Sequence, residues 1–124
     1  MIVHLDTSAL VDALTGPRRS LDALAALAEQ GHRLTLSTIV LYEWLRGPRT
    51  RAELTAQEEL FPRDHVVAFG AVEADAAAKL YTRVRRARGR EIDLAIAACA
   101  LVQGGALWTL NRGDFRDIPD LRLV

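Results

Sequence analysis

The feature that most constrains this chain is an alternation. Short, almost wholly apolar runs take turns with longer stretches of helical character. The apolar runs are Met1–Leu5, Arg33–Leu36, His65–Phe69, Ala106–Thr109 and, at the end, Leu121–Val124. Between them lie Ser8–Leu14, a Ser20-capped Leu/Ala stretch closed by Gly31, and a Ser37- or Thr38-capped stretch stopped by Gly47-Pro48. Thr50–Phe61, a long helix from Gly70 to about Arg88, and Asp93–Gln103 follow, the last closed by Gly104-Gly105. Strands alternating with helices predict a parallel sheet covered on both faces, and continuous apolar strands are what such coverage requires. The expectation is a three-layer α/β/α sandwich with four or five parallel strands, formed by residues 1–124 as one domain.

Composition narrows the class. Half of the residues are hydrophobic, which argues against disorder. No apolar run approaches the roughly 18–20 residues of a membrane span, and Met1–Leu5 leads straight into Asp6 without a basic, signal-like leader. The expected setting is the cytoplasm, away from any membrane. The lone cysteine, Cys99, excludes an internal disulfide and a cysteine-built zinc site. Sixteen basic and sixteen acidic residues cancel, which argues against a general polyanion binder. The basic charge is uneven, however: Arg83, Arg85, Arg86, Arg88 and Arg90 crowd one segment, with Arg83, Arg86 and Arg90 at the spacing of one helical face. These three are candidates for contact with phosphate groups.

In a parallel sheet, ligands collect beyond the carboxyl ends of the strands. Four acids fall there. Asp6 follows the first strand. Glu43 lies in the helix after the second, on the face of Ile39 and Val40. Asp93 opens the helix DLAIAACALV, and Asp114 lies just past Ala106–Thr109. Each has an ordinary reading as a cap, a turn residue or, for Glu43, a partner of Arg46. Four together are costly. At about 5 Å and an effective dielectric near 20, each pair repels by roughly 3 kcal/mol, on the order of 20 kcal/mol for six pairs. Such a cluster must protonate, attract arginine or bind a cation, and carboxylates without histidine or cysteine favour Mg²⁺ or Mn²⁺. The chemistry implied is metal-assisted hydrolysis of a phosphodiester.

At these residues the sequence resembles the PIN-domain ribonucleases, and within them the VapC-type toxins of bacterial toxin–antitoxin modules. The resemblance rests on DTSAL at 6–10, the Glu43 to Gly47 spacing in YEWLRG, DLAIAACA at 93–100 and TLNRGDF at 109–115, in order across nearly the whole chain. It implies a Mg²⁺- or Mn²⁺-dependent endoribonuclease with Asp6, Glu43, Asp93 and Asp114 as catalytic and metal-site acids. Ser8 matches the supporting hydroxyl, while Thr109 and Asn111 match positions that orient an acid or touch substrate. A homodimer silenced by a cognate antitoxin is implied as well. Trp44 and Trp108 are expected in the core or at the dimer interface, which Tyr42 and Leu45 would extend. One departure is a short turn, ARGREIDLA, between the basic segment and Asp93. Alternatives are a catalytically degraded protein-binding module on the same fold, or a nuclease acting on DNA. A phosphoacceptor receiver domain would need an acid after the third strand, and a dehalogenase-type phosphatase would need one where Ser8 stands.

Overall fold

The computed structural model describes all 124 residues. The first strand, β1 (Ile2–Leu5), runs directly into helix α1 (Thr7–Leu14), with Asp6 at its N-cap. Helix α2 (Leu21–Glu29) leads to β2 (Arg33–Thr35). Helices α3 (Thr38–Arg46), α4 (Arg51–Leu60), α5 (Ala71–Arg83) and α6 (Glu91–Val102) precede β3 (Ala106–Trp108). A 3₁₀ turn, Arg112–Asp114, and the short strand β4 (Arg122–Leu123) close the chain. The sheet order is β2-β1-β3-β4 and every pairing is parallel. From β1 the chain steps one way to β2, then crosses back over β1 to β3. Right-handed crossovers in opposite directions place their helices on opposite faces of the sheet. The reversal lies between β1 and β3, so the switch point, where sheets of this kind bind ligands in a cleft, falls beyond Leu5 and its register partner Trp108.

The core is built as the sequence indicates. Val3, Leu5, Leu36 and Leu107 from the strands meet Leu10, Trp44, Leu94, Ile96 and Phe115, all buried. Helix α6 is buried without interruption from Leu94 to Ala100, as its near-total lack of polar residues requires. Cys99 is buried there, and burial pushes its thiol up to about 11, an inert small side chain rather than a nucleophile. Gly105 has a packing reason: a Cβ at this position would stand 2.7 Å from the carbonyl oxygen of Ile2. Both tryptophans are core residues; Tyr42 and Leu45 are exposed. No helix is long and apolar enough to cross a membrane.

Three expectations need correction. The stretch His65–Phe69 does not form a full strand. Arg63–His65 is a 3₁₀ turn, and only Val67 joins the sheet edge, in a single bridge to Ser37. Val67 exchanges backbone hydrogen bonds with Leu36 and Thr38, but the next free amide, Phe69, donates to the Thr38 hydroxyl instead of a ladder carbonyl. Second, α5 stops at Arg83 rather than near Arg88. Val84 is extended, Arg86 sits at φ +52°, and Val84 and Ala87 turn inward while Arg85, Arg86 and Arg88 face solvent. A continued helix would align like charges three and four residues apart, which is unfavourable. Arg83, Arg86 and Arg90 therefore do not share a helical face. Third, α6 begins at Glu91, so Asp93 lies within its first turn, with Arg90 as N-cap.

Candidate active site

Asp6 is the best-anchored acid. Its residue is 5% exposed, and β1 delivers it beside Thr109, the residue after β3. Oδ2 accepts two hydroxyl hydrogen bonds, from Ser8 Oγ at 2.9 Å and Thr109 Oγ1 at 2.7 Å. Each hydroxyl has one proton, and both are directed at Asp6. Their oxygens in turn accept backbone N–H groups: Leu110 donates to Ser8 and Asn111 donates to Thr109. The turn after β3 thus orients both hydroxyls, which fix one carboxylate oxygen. The other oxygen, Oδ1, has no protein donor and is not sealed from solvent. Asn111 contributes through its backbone, and its side chain is free and exposed.

Glu43 arrives on α3, whose start is capped by the Ser37 hydroxyl accepting from Val40. It is partly buried. Its Oε1 accepts a 2.6 Å hydrogen bond from Thr7 Oγ1, and its Oε2 faces Arg46 at 3.5 Å. Thr7 is a site residue that sequence reading missed, because a threonine at a helix start already has a local explanation. The Arg46 contact is long and its arginine side chain is 60% exposed, so it neutralises Glu43 only in part. That guanidinium also lies 5.5 Å from the Tyr42 ring.

Asp93 carries the electrostatic signature of the cleft. Its carboxyl is pushed from 3.8 up to about 6, first by burial and then by the charges of Asp6, Asp114 and Glu43. Arg90 opposes the shift and is the smallest of the causes. Three acids drawn from sites as far apart in sequence as residues 6 and 114 thus lie near enough for their charges to act on Asp93. They do not collapse onto one another: no three acidic or histidine side chains gather into a ready-made coordination cage. The cluster is looser than the 5 Å spacing supposed above, with Asp114 exposed on its 3₁₀ turn.

The basic segment borders this cleft differently from expectation. A polar cavity of about 470 Å³ is lined by Arg85, Arg86, Arg90, Gly113, Asp114 and Asp117. Arg83 does not line it. Arg85 and Arg86 have exposed guanidiniums with no hydrogen bond or ion pair in the protein. Arg90 is committed: it forks onto Asp117 at 2.7 and 2.9 Å and donates to the carbonyls of Asp114 and Arg85.

The donor set suits a hard divalent cation. It consists of carboxylate and hydroxyl oxygens, with Asp6 Oδ1 open and no histidine or cysteine among them. Magnesium is commonly held by one or two carboxylates and several waters, so the absence of a closed cage is compatible with it.

Comparison with known proteins identifies the family and the fold. The PIN domain family matches residues 3–121. Ribonuclease VapC19 from two strains of Mycobacterium tuberculosis (CDC 1551 and H37Rv) is 35% identical over 123 residues, 95% of either chain. Among solved structures, VapBC2 from Rickettsia felis, bound to a promoter DNA fragment, superposes with a TM-score of 0.80 at 25% identity. That match covers 100% of this chain and 98% of the other. A toxin–antitoxin complex from Klebsiella pneumoniae gives 0.76 at 25% identity, covering 98% and 95%. By family match, by similarity along its full length and by fold, this chain belongs to the PIN-domain family, in its VapC branch.

Proposed function

We propose that the protein is a divalent-metal-dependent endoribonuclease, the toxin of a toxin–antitoxin pair, with Asp6, Glu43, Asp93 and Asp114 as the acids of its active site. The observation that carries this reading is Asp93, half-buried and pushed up to about 6 first by burial and then by the charges of Asp6, Asp114 and Glu43. A protein gains no stability from such a cluster, so a chemical use explains it better than a structural one. The name of the relative VapC19 supports RNA as substrate, and the toxin–antitoxin titles of the structural neighbours support a cognate antitoxin as partner.

Asp6, Glu43, Asp93 and Asp114 would hold Mg²⁺ or Mn²⁺. When bound, such a cation would offset the carboxylate repulsion and supply the acidified water needed for hydrolysis of a phosphodiester. The chain's own residues perform the positioning. Ser8 and Thr109 keep Asp6 oriented by donating to Oδ2, which leaves Oδ1 for the ion. Thr7 holds Glu43 toward the cleft. Arg85 and Arg86, the unpaired cations of the adjoining cavity, are placed to hold flanking phosphates, and the side chain of Asn111 is free to meet the strand. Tyr42 and Leu45, exposed beside Glu43, suit a protein interface with the antitoxin or a second copy. We place the whole chain, acting as one nuclease domain, in the cytoplasm with its RNA.

The presence of all four acids disfavours a degraded binding module. The decisive test is cleavage of total RNA by the wild type and by Asp6→Asn, each with Mg²⁺, with Mn²⁺ and with chelator. Activity lost in the variant and in chelator is the expected result, with single-stranded DNA of the same length left intact. Full activity in purified Asp6→Asn refutes the assignment, and preferential cutting of the DNA favours the alternative substrate.

A further inference from the structure

We propose that Arg90 is a positioning residue, not a phosphate ligand: with Asp117 it forms a clasp that sets where the Asp114 carboxylate stands relative to Asp93. The inference rests on the nuclease reading and assigns a role within that site.

The case begins with donor arithmetic. A guanidinium has five N–H groups in a rigid fork. Four of those on Arg90 are taken. Nη1 donates to Arg85 O at 3.2 Å and to Asp117 Oδ2 at 2.9 Å. Nη2 donates to Asp114 O at 2.8 Å and to Asp117 Oδ1 at 2.7 Å. The side chain is 21% exposed and its charge is offset by a carboxylate in fork geometry. Only Nε remains for a ligand. Arg85 and Arg86 line the same cavity with no partners at all, so phosphate contact falls to them.

The second step concerns what the clasp joins. Arg90 is the N-cap of α6, and Asp93 lies one turn inside that helix, whose body is the buried centre of the core. Asp114 lies on an exposed 3₁₀ turn between β3 and β4, where the backbone bonds are local: Asp114 to Asn111, Phe115 to Arg112. Loops of this kind are placed by what ties them to a scaffold. At the far end Arg112 donates to the carbonyl of Val124, and at the near end Arg90 holds both the carbonyl of Asp114 and the side chain of Asp117. The clasp therefore transmits the position of α6 to the fourth acid across 24 residues of sequence.

Misplacement of a reacting group by about 1 Å can cost on the order of 100-fold in rate. Arg90→Ala and Asp117→Ala should each lower kcat by about 10- to 100-fold, with KM within about twofold of wild type. The double variant should be no slower than the worse single. Arg90→Lys keeps the charge but not the fork, and should stay close to Arg90→Ala. A separate readout needs no activity: amide hydrogen exchange at Asp114, Phe115 and Arg116 should accelerate in Arg90→Ala and Asp117→Ala alike. The proposal is overturned if Arg90→Ala raises KM and flattens its salt dependence with kcat intact while Asp117→Ala is silent, because that is the signature of a phosphate contact. Rescue by Arg90→Lys, or exchange that is unchanged in both alanine variants, overturns it equally. If the wild type itself cuts no RNA, the nuclease reading fails while the exchange result still decides the clasp.

Discussion

Neutralising Asp93 should make the metal-free protein more stable while destroying its activity. The magnitude follows from the carboxyl's displacement from 3.8 to about 6. Two pKa units correspond to roughly 3 kcal/mol of disfavoured ionisation. Asp93 is only half-buried, so solvent screening reduces this to about 1.5 kcal/mol. Asparagine also forfeits the favourable placement of an acid in the first turn of a helix, about 0.5 kcal/mol. A net gain of about 1 kcal/mol remains, some 4 °C in Tm for a chain of this size. Its pH dependence has a definite sign. An acid whose folded pKa lies above its unfolded value binds more protons when folded, so stability falls as pH rises between about 4 and 6. The wild type carries the full penalty above that window and none below it. Thermal melts of wild type and Asp93→Asn in chelator, at pH 5 and pH 8, should show the variant ahead at pH 8 by about 4 °C and by clearly less at pH 5. Millimolar Mg²⁺ should then raise the wild type more than the variant, because the ion binds only the folded acids. A variant no more stable than wild type at pH 8, or an advantage independent of pH, would refute the account of repelling carboxylates.

Two further outcomes test other parts of the site. Thr7→Val removes the 2.6 Å hydrogen bond to Glu43 and leaves that carboxylate with the distant Arg46 alone. Cleavage should fall by about tenfold while Tm changes by no more than a few degrees, as expected from one lost hydrogen bond near 1–1.5 kcal/mol. An unaffected rate would show that Thr7 plays no part. Replacing Arg85 and Arg86 together by glutamine should weaken binding of RNA to an inactive Asp6→Asn background. It should also reduce the slope of log affinity against log salt by up to about two; an unchanged slope returns both residues to the solvated surface.

The parts legible in the sequence were those written in short range. An apolar run that ends on Asp6 specifies a strand whose next residue projects beyond the sheet, and the alternation of elements specifies the parallel order that aligns Asp6 with Thr109. What was illegible depended on partners far along the chain. His65–Phe69 has strand composition, but nothing in it reveals that Thr38, some thirty residues away, takes the amide of Phe69. The arginine segment reads as a helical face only if the helix persists, and it ends at Arg83. Thr7 and Arg90 have adequate local explanations, as a helix-start hydroxyl and a surface cation. Their partners lie 36 and 27 residues away.

The direction of the Arg90 fork bears on how the cleft keeps its charge. Arg90 stands close enough to Asp93 and Asp114 that its positive charge acts on Asp93, yet its effect there is smaller than that of any of the three acids. Asp117 is the reason. By taking both terminal nitrogens of the guanidinium, it holds that charge within the cavity lined by Asp114 and Asp117. An arginine released from Asp117 would be left with Asp93 and Asp114, the other carboxylates that act on it, and an ion pair there would compete with a divalent cation for the same oxygens. The fold thus tolerates an unneutralised acidic cluster while keeping a cation within reach of it. The same bonds that divert the cation also fix the turn bearing Asp114. Positioning and electrostatic isolation are two consequences of a single contact, which is why removing either partner should lower turnover and removing both should do no further harm.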